Sequence, residues 1–177
     1  MNRTRTSSRQ DGHRAGGAAM TRGAPAALAI AAALAAPPGC SVPPPAADPP
    51  AIEFLSSPGA EARGLPFSEA VRVGEMLYLS GQLGIPPGGS DPAPGGIAAE
   101  TRQALENIKA ILANHGSALD RVVKCTVFLA DIGEWGSMNE VYRTYFRDPP
   151  PARSALGASG LARNARVEIE CIAVAGP

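Results

Sequence analysis

Large aromatic side chains are scarce in this sequence and are missing from its first part. Aromatic residues make up 5% of the 177-residue chain, and the first of them is Phe54. The residues before it are mostly Ala, Pro, Gly, Arg and Ser, and such a segment cannot bury enough apolar surface to offset the entropy lost on folding. We therefore predict a disordered leader and linker over residues 1–50 and one globular domain over residues 51–177, which is long enough for a modest core.

An excess of charge of either sign is also lacking. The chain has 16 basic and 16 acidic residues and a formal net charge of zero. Because nucleic-acid-binding domains normally carry a basic stripe, we expect no nucleic-acid partner. A small-molecule site remains compatible with this composition.

Cysteine is rare, with Cys40, Cys125 and Cys171 as the complete set. No CxxC pair occurs, and no histidine lies near a cysteine at a spacing typical of metal ligands. We therefore expect no metal site, and nothing in the sequence indicates a cofactor. Cys125 and Cys171 lie in apolar runs, and we interpret them as buried thiols in strands.

The apolar stretch at residues 24–36 is too short to span a bilayer, which requires about 20 apolar residues. It follows Met20-Thr21-Arg22 and precedes Cys40, an order typical of a bacterial secretory signal. Cys40 is then a candidate lipidation site, although Pro-Pro-Gly at residues 37–39 departs from a lipobox. Two alternatives stay open: export to the periplasm or anchoring as a lipoprotein, with Met20 or Met1 as the start, and a disordered tail on a cytoplasmic protein.

Beyond the leader, the period of the apolar residues alternates between strand and helix. The pattern predicts a hairpin, a long exposed loop over residues 84–96, a helix, a strand, a second helix from Asp131, and two final strands. The predicted strands and helices cover residues 70–73, 76–80, 97–115, 122–129, 131–148, 154–158 and 166–174. This order predicts an α+β domain in which two helices pack on one face of a mixed sheet, and we expect a partner subunit to cover the other face.

Two further patterns predict which side chains share a strand face and which lie in the core. Strand alternation places Val123 on the same face as Cys125. In the second helix, Trp135, Met138 and Tyr142 recur at helical spacing, and we interpret them as core residues.

No Ser-His-Asp arrangement is evident, but two features are chemically suggestive. Arg153 follows a rigid proline turn at the start of a strand, where its guanidinium can bind a carboxylate through two hydrogen bonds. Glu168 and Glu170 alternate along the last strand and share one face. The plainer alternatives are a surface arginine paired with a nearby acid, and a solvated or intersubunit pair of carboxylates.

Six short motifs carry a family resemblance over residues 64–175. They are LSGQ at 79–82, ENIKA at 106–110, VKCTVF at 123–128, MNEVY at 138–142, PARS at 151–154 and VEIE at 167–170. In order and spacing they resemble the Rid (reactive intermediate deaminase) family, also called YjgF or L-PSP proteins. The resemblance implies a chorismate-mutase-like fold and a homotrimer with clefts between subunits.

The resemblance also implies an activity, the hydrolysis of small enamine or imine acids to a 2-keto acid and ammonia. By analogy, Arg153 binds the substrate carboxylate and Glu168 holds the attacking water. Ser80, Gly81 and Asn139 match positions that line the family's pocket.

Two departures from the family pattern bear on that activity. Phe67 stands where a tyrosine is common, and Ala155 stands where a cysteine is common. Both changes make the expected pocket more apolar and favour a bulkier imine. They also leave open a module that binds small carboxylates or a partner protein without catalysis. A third alternative, a ribonuclease, is disfavoured by the neutral charge.

Overall fold

The computed structural model of the protein describes residues 48–176, and the structural statements below concern this part of the chain. Residues 1–47 of the expected leader, with the signal-like stretch and Cys40, lie outside the described residues, so those interpretations stay predictions. No helix between residues 48 and 176 is long and apolar enough to cross a membrane.

Seven strands and three α-helices make up the described domain. In chain order they are β1 (Ile52–Leu55), α1 (Pro58–Glu61), β2 (Ala70–Val73), β3 (Met76–Leu79), β4 (Gln82–Leu83), α2 (Gly96–Asn114), β5 (Val122–Leu129), α3 (Trp135–Tyr142), β6 (Ala152–Gly157) and β7 (Val167–Val174).

The strands form one mixed sheet in the order β1-β2-β3-β7-β5-β6, and β4 also pairs with β7. The pair β5 and β6 is parallel, as expected for two strands joined through helix α3, and the other pairs are antiparallel. The predicted α+β class and mixed sheet are confirmed.

One face of the sheet packs against the two long helices. Leu105, Ile108 and Leu112 of α2 and Met138 of α3 are buried in the core shared with the sheet. Along β7, buried residues alternate with more exposed ones: Val167, Ile169 and Cys171 are buried, whereas Glu168 is half-buried and Glu170 is exposed. The predicted alternation of this strand is therefore confirmed, and the two glutamates lie on the face away from the helices.

The predicted loop over residues 84–96 occupies residues 84–95, between β4 and α2. Asn107 of α2 fixes its start by donating hydrogen bonds to the carbonyl oxygens of Leu83 (3.1 Å) and Ile85 (2.9 Å). Gly84 allows a close approach here, because a Cβ atom would overlap the backbone of Glu100. The ENIKA motif thus contributes the side chain that anchors this loop.

A β-bulge changes the predicted faces at the start of β5. The pairing register between β5 and β7 shifts between Val122 and Lys124. The extra residue of a bulge breaks the alternation of side chains. Val122 is consequently buried, and Val123 is 43% exposed, so the prediction that Val123 shares the face of Cys125 is wrong.

Cys125 and Cys171 form a disulfide between β5 and β7. They are direct partners in the antiparallel register, and both are buried as predicted. The interpretation as free thiols is wrong because sequence alone does not reveal that the two strands are neighbours in this register.

Candidate active site

Arg153 lies on β6 at the edge of the sheet, and helix α3 holds its side chain. Its Nη1 donates a hydrogen bond of 2.8 Å to Oδ1 of Asn139. The guanidinium carbon lies 4.6 Å from the ring centroid of Tyr142 and 5.6 Å from that of Trp135. Contact with two aromatic rings and an amide restricts the guanidinium to one orientation while leaving other N–H donors unused.

The three residues that hold Arg153 come from one face of α3. Trp135, Asn139 and Tyr142 are spaced by four and then three residues, which stacks them on the same side of a helix. Tyr142 is buried, as predicted for a core residue, but Trp135 is 42% exposed. The core interpretation of Trp135 is therefore wrong. Trp135 precedes Asn139 by four residues, and this helical spacing could have indicated that Trp135 lies beside Arg153.

Arg153 opens onto a cavity of about 440 Å³. The lining residues are Asn139, Tyr142, Arg143, Phe146, Arg147, Asp148, Pro150, Pro151 and Arg153. Burial raises the pKa of the Tyr142 hydroxyl to about 12, and the opposing charge of Arg153 only partly offsets this. The phenol therefore stays protonated at neutral pH.

Glu168 lies on the other face of the sheet. In register it is opposite Phe128 of β5 and Leu83 of β4. Its carboxylate packs directly against Gly81, where a Cβ atom would overlap Oε1 of Glu168. The pKa of this carboxyl is raised, first because burial disfavours the charged form and second because Glu170 is nearby. A carboxylate with a raised pKa is a stronger base than an ordinary surface glutamate.

Gly81 and Phe67 line a second cavity, of about 340 Å³. Phe67 is 55% exposed at its edge. Ser80 precedes Gly81, and its hydroxyl donates a 2.7 Å hydrogen bond to the carbonyl oxygen of Ser68. Ser80 thus fixes the backbone next to Glu168. Its hydroxyl proton is used in this hydrogen bond.

A single chain does not bring all the predicted residues together. Arg153 is in register with Cys125 and Ala155 with Val127, so both project towards the helices. Glu168 belongs to the opposite sheet face, and the cavity at Arg153 does not include it. The predicted site residues therefore form two separate groups in one chain. The first group is Arg153 with Asn139, and the second is Glu168 with Gly81, Ser80 and Phe67. Ala155 belongs to neither group, because it is half-buried and packs against the core.

Ser57, Glu69 and His115 meet elsewhere, without forming a nucleophilic triad. Glu69 lies between the other two: Oε1 accepts from the Ser57 hydroxyl at 3.3 Å, and Oε2 lies 3.3 Å from Nε2 of His115. A hydroxyl is activated by direct contact with its base, which is absent from this arrangement. Through these contacts Glu69, just before β2, connects Ser57 before α1 to His115 at the end of α2.

No group of His, Cys, Asp and Glu side chains in residues 48–176 has the arrangement of a metal site.

The fold and these groups define an α+β protein with a mixed sheet, two helices on one face and an arginine at the sheet edge whose guanidinium is held by helix α3. Residues 57–175 match the sequence model of the family described as Endoribonuclease L-PSP. The chain therefore belongs to the L-PSP family, which includes the Rid and YjgF proteins.

Relatives of known structure or curated name support this assignment. The 2-iminobutanoate/2-iminopropanoate deaminase of Mus musculus is 46% identical over 123 residues, which cover 70% of this chain and 91% of the mouse protein. The Rid-family protein YyfA of Yersinia pestis is 37% identical, with a TM-score of 0.65 over 70% of this chain and 99% of YyfA. TdcF of E. coli with bound serine is 33% identical, with a TM-score of 0.57 over 62% of this chain and 88% of TdcF.

Proposed function

We propose that this protein is a hydrolytic deaminase of reactive enamine and imine acids, which it converts to a 2-keto acid and ammonia. The observation that carries the proposal is the restrained guanidinium of Arg153 at the wall of an open cavity. The mammalian relatives are named as deaminases of 2-iminobutanoate and 2-iminopropanoate, and the TdcF structure contains serine. In each of these small molecules a carboxylate is attached to the carbon that bears nitrogen, and Arg153 can bind this carboxylate with two hydrogen bonds.

The reaction requires one bound carboxylate and one activated water. Arg153 orients the imine carbon by holding the carboxylate beside it. Glu168 accepts a proton from water as the water oxygen bonds to that carbon, and it returns this proton to the nitrogen, which gives a carbinolamine. The carbinolamine hydroxyl then loses its proton to the nitrogen as the carbon–oxygen double bond forms and the carbon–nitrogen bond breaks, which releases ammonia. The raised pKa of Glu168 suits both accepting and returning the proton. Ser80 and Gly81 act indirectly, by fixing the backbone against which the carboxylate packs.

We further propose that the complete site forms between copies of the chain in a homotrimer. Arg153 and Glu168 lie on opposite faces of one sheet, so a partner must supply one of them. The face away from the helices has an apolar row suited to such a contact, in which neighbouring strands contribute Phe54, Val71, Tyr78 and Ile172. Phe54 and Tyr78 are 75% and 45% exposed, and burial of such side chains favours association.

The direct test is ammonia release from imines that an amino-acid oxidase generates in the assay. We expect Arg153→Ala to lower kcat/KM about 100-fold, because a charge-assisted pair of hydrogen bonds contributes about 3 kcal/mol. Arg153→Lys should recover only part of this, because an ammonium lacks the two-pronged geometry. Lys109→Ala, on the exposed side of α2, is the matched control. Equal rates for wild type and Arg153→Ala would refute the proposal.

Two alternative functions can be distinguished from the deaminase with the same purified protein. A binding module without catalysis, which Phe67 and Ala155 motivate, would be stabilised by small carboxylates without releasing ammonia. A ribonuclease, which the family description names, would cleave RNA and lose that activity in a site variant. The zero net charge of the chain supports the deaminase over the ribonuclease.

A further inference from the structure

The cavity at Arg153 is lined by three arginines, of which the proposed reaction uses one. Arg143 and Arg147 are exposed at its rim, and Asp148 is the acidic residue among the lining residues. Within residues 48–176, none of the three arginines has a carboxylate at ion-pair distance. In the single chain, the lining of this cavity therefore has three guanidinium groups and one carboxylate, an excess of positive charge.

The geometry of α3 explains why these cations gather. Arg143 follows Asn139 by four residues, so it lies one turn further along the helix face that holds Arg153. Arg147 follows α3 by five residues, before the prolines that lead into β6, and its side chain also lines the cavity. Phe146, Pro150 and Pro151 supply apolar walls between the charged groups.

The volume of the cavity also exceeds what the smallest imino acid requires. About 440 Å³ is available, within the range of about 300–1,000 Å³ for small-molecule sites. Arg153 can bind one carboxylate, which leaves room and two arginines beyond it. In addition, the buried Tyr142 hydroxyl has no hydrogen-bond partner in the described part of the chain.

We propose that the preferred substrates are imino acids with a second carboxylate on the side chain. Arg153 binds the carboxylate next to the imine, Arg143 and Arg147 bind the side-chain carboxylate, and the apolar walls contact the methylene groups between them. This inference rests on the proposed deaminase function and names its substrate class. The sequence predicts a bulkier imine because of Phe67 and Ala155. In the proposed substrates, the added bulk includes a second carboxylate.

The chemistry stays that of imine hydrolysis. Water adds to the carbon–nitrogen double bond, ammonia leaves, and the product is a 2-keto dicarboxylate. Arg143 and Arg147 exchange no proton and act as specificity-determining residues. The class of reaction that supplies this substrate is the oxidation of an acidic α-amino acid.

The test compares two imines that differ in one charge. An amino-acid oxidase generates them in the assay from glutamate and from glutamine, whose side chains have nearly the same shape. We expect wild type to prefer the glutamate-derived imine about tenfold or more in kcat/KM. Arg143→Gln and Arg147→Gln should each lower kcat/KM on that imine roughly fivefold, the upper range for one partly exposed charge pair, and leave the glutamine-derived imine unchanged. Added salt should weaken the preference.

Lys109→Gln removes a positive charge that lines neither cavity, and it should change neither rate. Inhibition by 2-oxoglutarate supplies a second readout, which should weaken in the Arg143→Gln/Arg147→Gln double variant in parallel with the rate. Equal rates on the two imines, or equal losses on both in the double variant, would overturn this inference and leave the deaminase proposal intact. Failure of wild type to hydrolyse these two imines, with hydrolysis of the alanine-derived imine retained, would also overturn only this inference. Failure on all three imines would instead refute the deaminase proposal.

Discussion

At the scale of single residues, the contact between Gly81 and Glu168 is the tightest constraint on the proposed base. Gly81 leaves just enough space for the carboxylate. We predict that Gly81→Ala rotates Glu168 away and lowers kcat by at least about tenfold, since a displacement of about 1 Å can cost 100-fold. Stability should change little, because the group that must move is the flexible end of a side chain.

Gly59 in α1 provides the control for this substitution, because a Cβ atom there meets nothing within 4 Å. Activity assays and thermal unfolding of Gly59→Ala and Gly81→Ala separate the two effects. Full activity in Gly81→Ala would show that the position of Glu168 is unimportant for the reaction.

The raised pKa of Glu168 predicts a pH dependence of activity. The base must be ionised, so kcat/KM should rise with pH, with a midpoint above the usual glutamate pKa. Because Glu170 contributes to the raised pKa, Glu170→Gln should move this midpoint to lower pH. A pH–rate profile with the same midpoint in both proteins would contradict this account.

The same group has the opposite effect on stability. A folded-state pKa above the unfolded value favours the protonated native state, so the contribution of Glu168 is fully present below its unfolded pKa and is lost as pH rises through the folded pKa. Relative to wild type, Glu168→Gln should therefore become progressively more stable over that window. Thermal unfolding at several pH values measures this difference.

At the scale of secondary-structure elements, the strongly periodic segments could be predicted and the short ones could not. The hairpin, helix α2 and strands β5 to β7 follow from apolar spacing, and the structure confirms them within a few residues. The second helix is confirmed in place but is shorter than predicted, because α3 spans Trp135–Tyr142 and not residues 131–148. Strands β1 and β4 were missed: β1 is largely exposed, and β4 has two residues, so neither has a readable period. Both exist because neighbouring strands supply backbone partners.

The candidate site likewise has a part that the sequence could predict and a part that it could not. Arg153, Asn139 and Glu168 were identified from motifs, and the alternation of β7 correctly separated Glu168 from the buried residues. Local sequence could not show that Arg153 lies on the opposite face, because that depends on the register between β6 and β5. The bulge at Val123 and the disulfide likewise depend on which strand lies alongside β5.

The disulfide between β5 and β7 yields a stability prediction at this scale. Replacing both Cys125 and Cys171 with Ala should lower the free energy of unfolding by about 2–5 kcal/mol. Reductant should destabilise wild type and leave the double variant unchanged in urea unfolding. Identical curves for wild type with and without reductant would show that the bridge contributes nothing.

At the scale of the whole molecule, the central claim is that two chains complete each site. The most direct measurement mixes two inactive proteins, Arg153→Ala and Glu168→Gln, by refolding them together from denaturant in equal amounts. If each site takes its arginine from one chain and its glutamate from another, random assembly restores both groups in about a quarter of the sites. We predict about a quarter of wild-type ammonia release from the mixture, and only about 1% of it from either variant refolded alone. A mixture as inactive as its parents would contradict a site shared between chains.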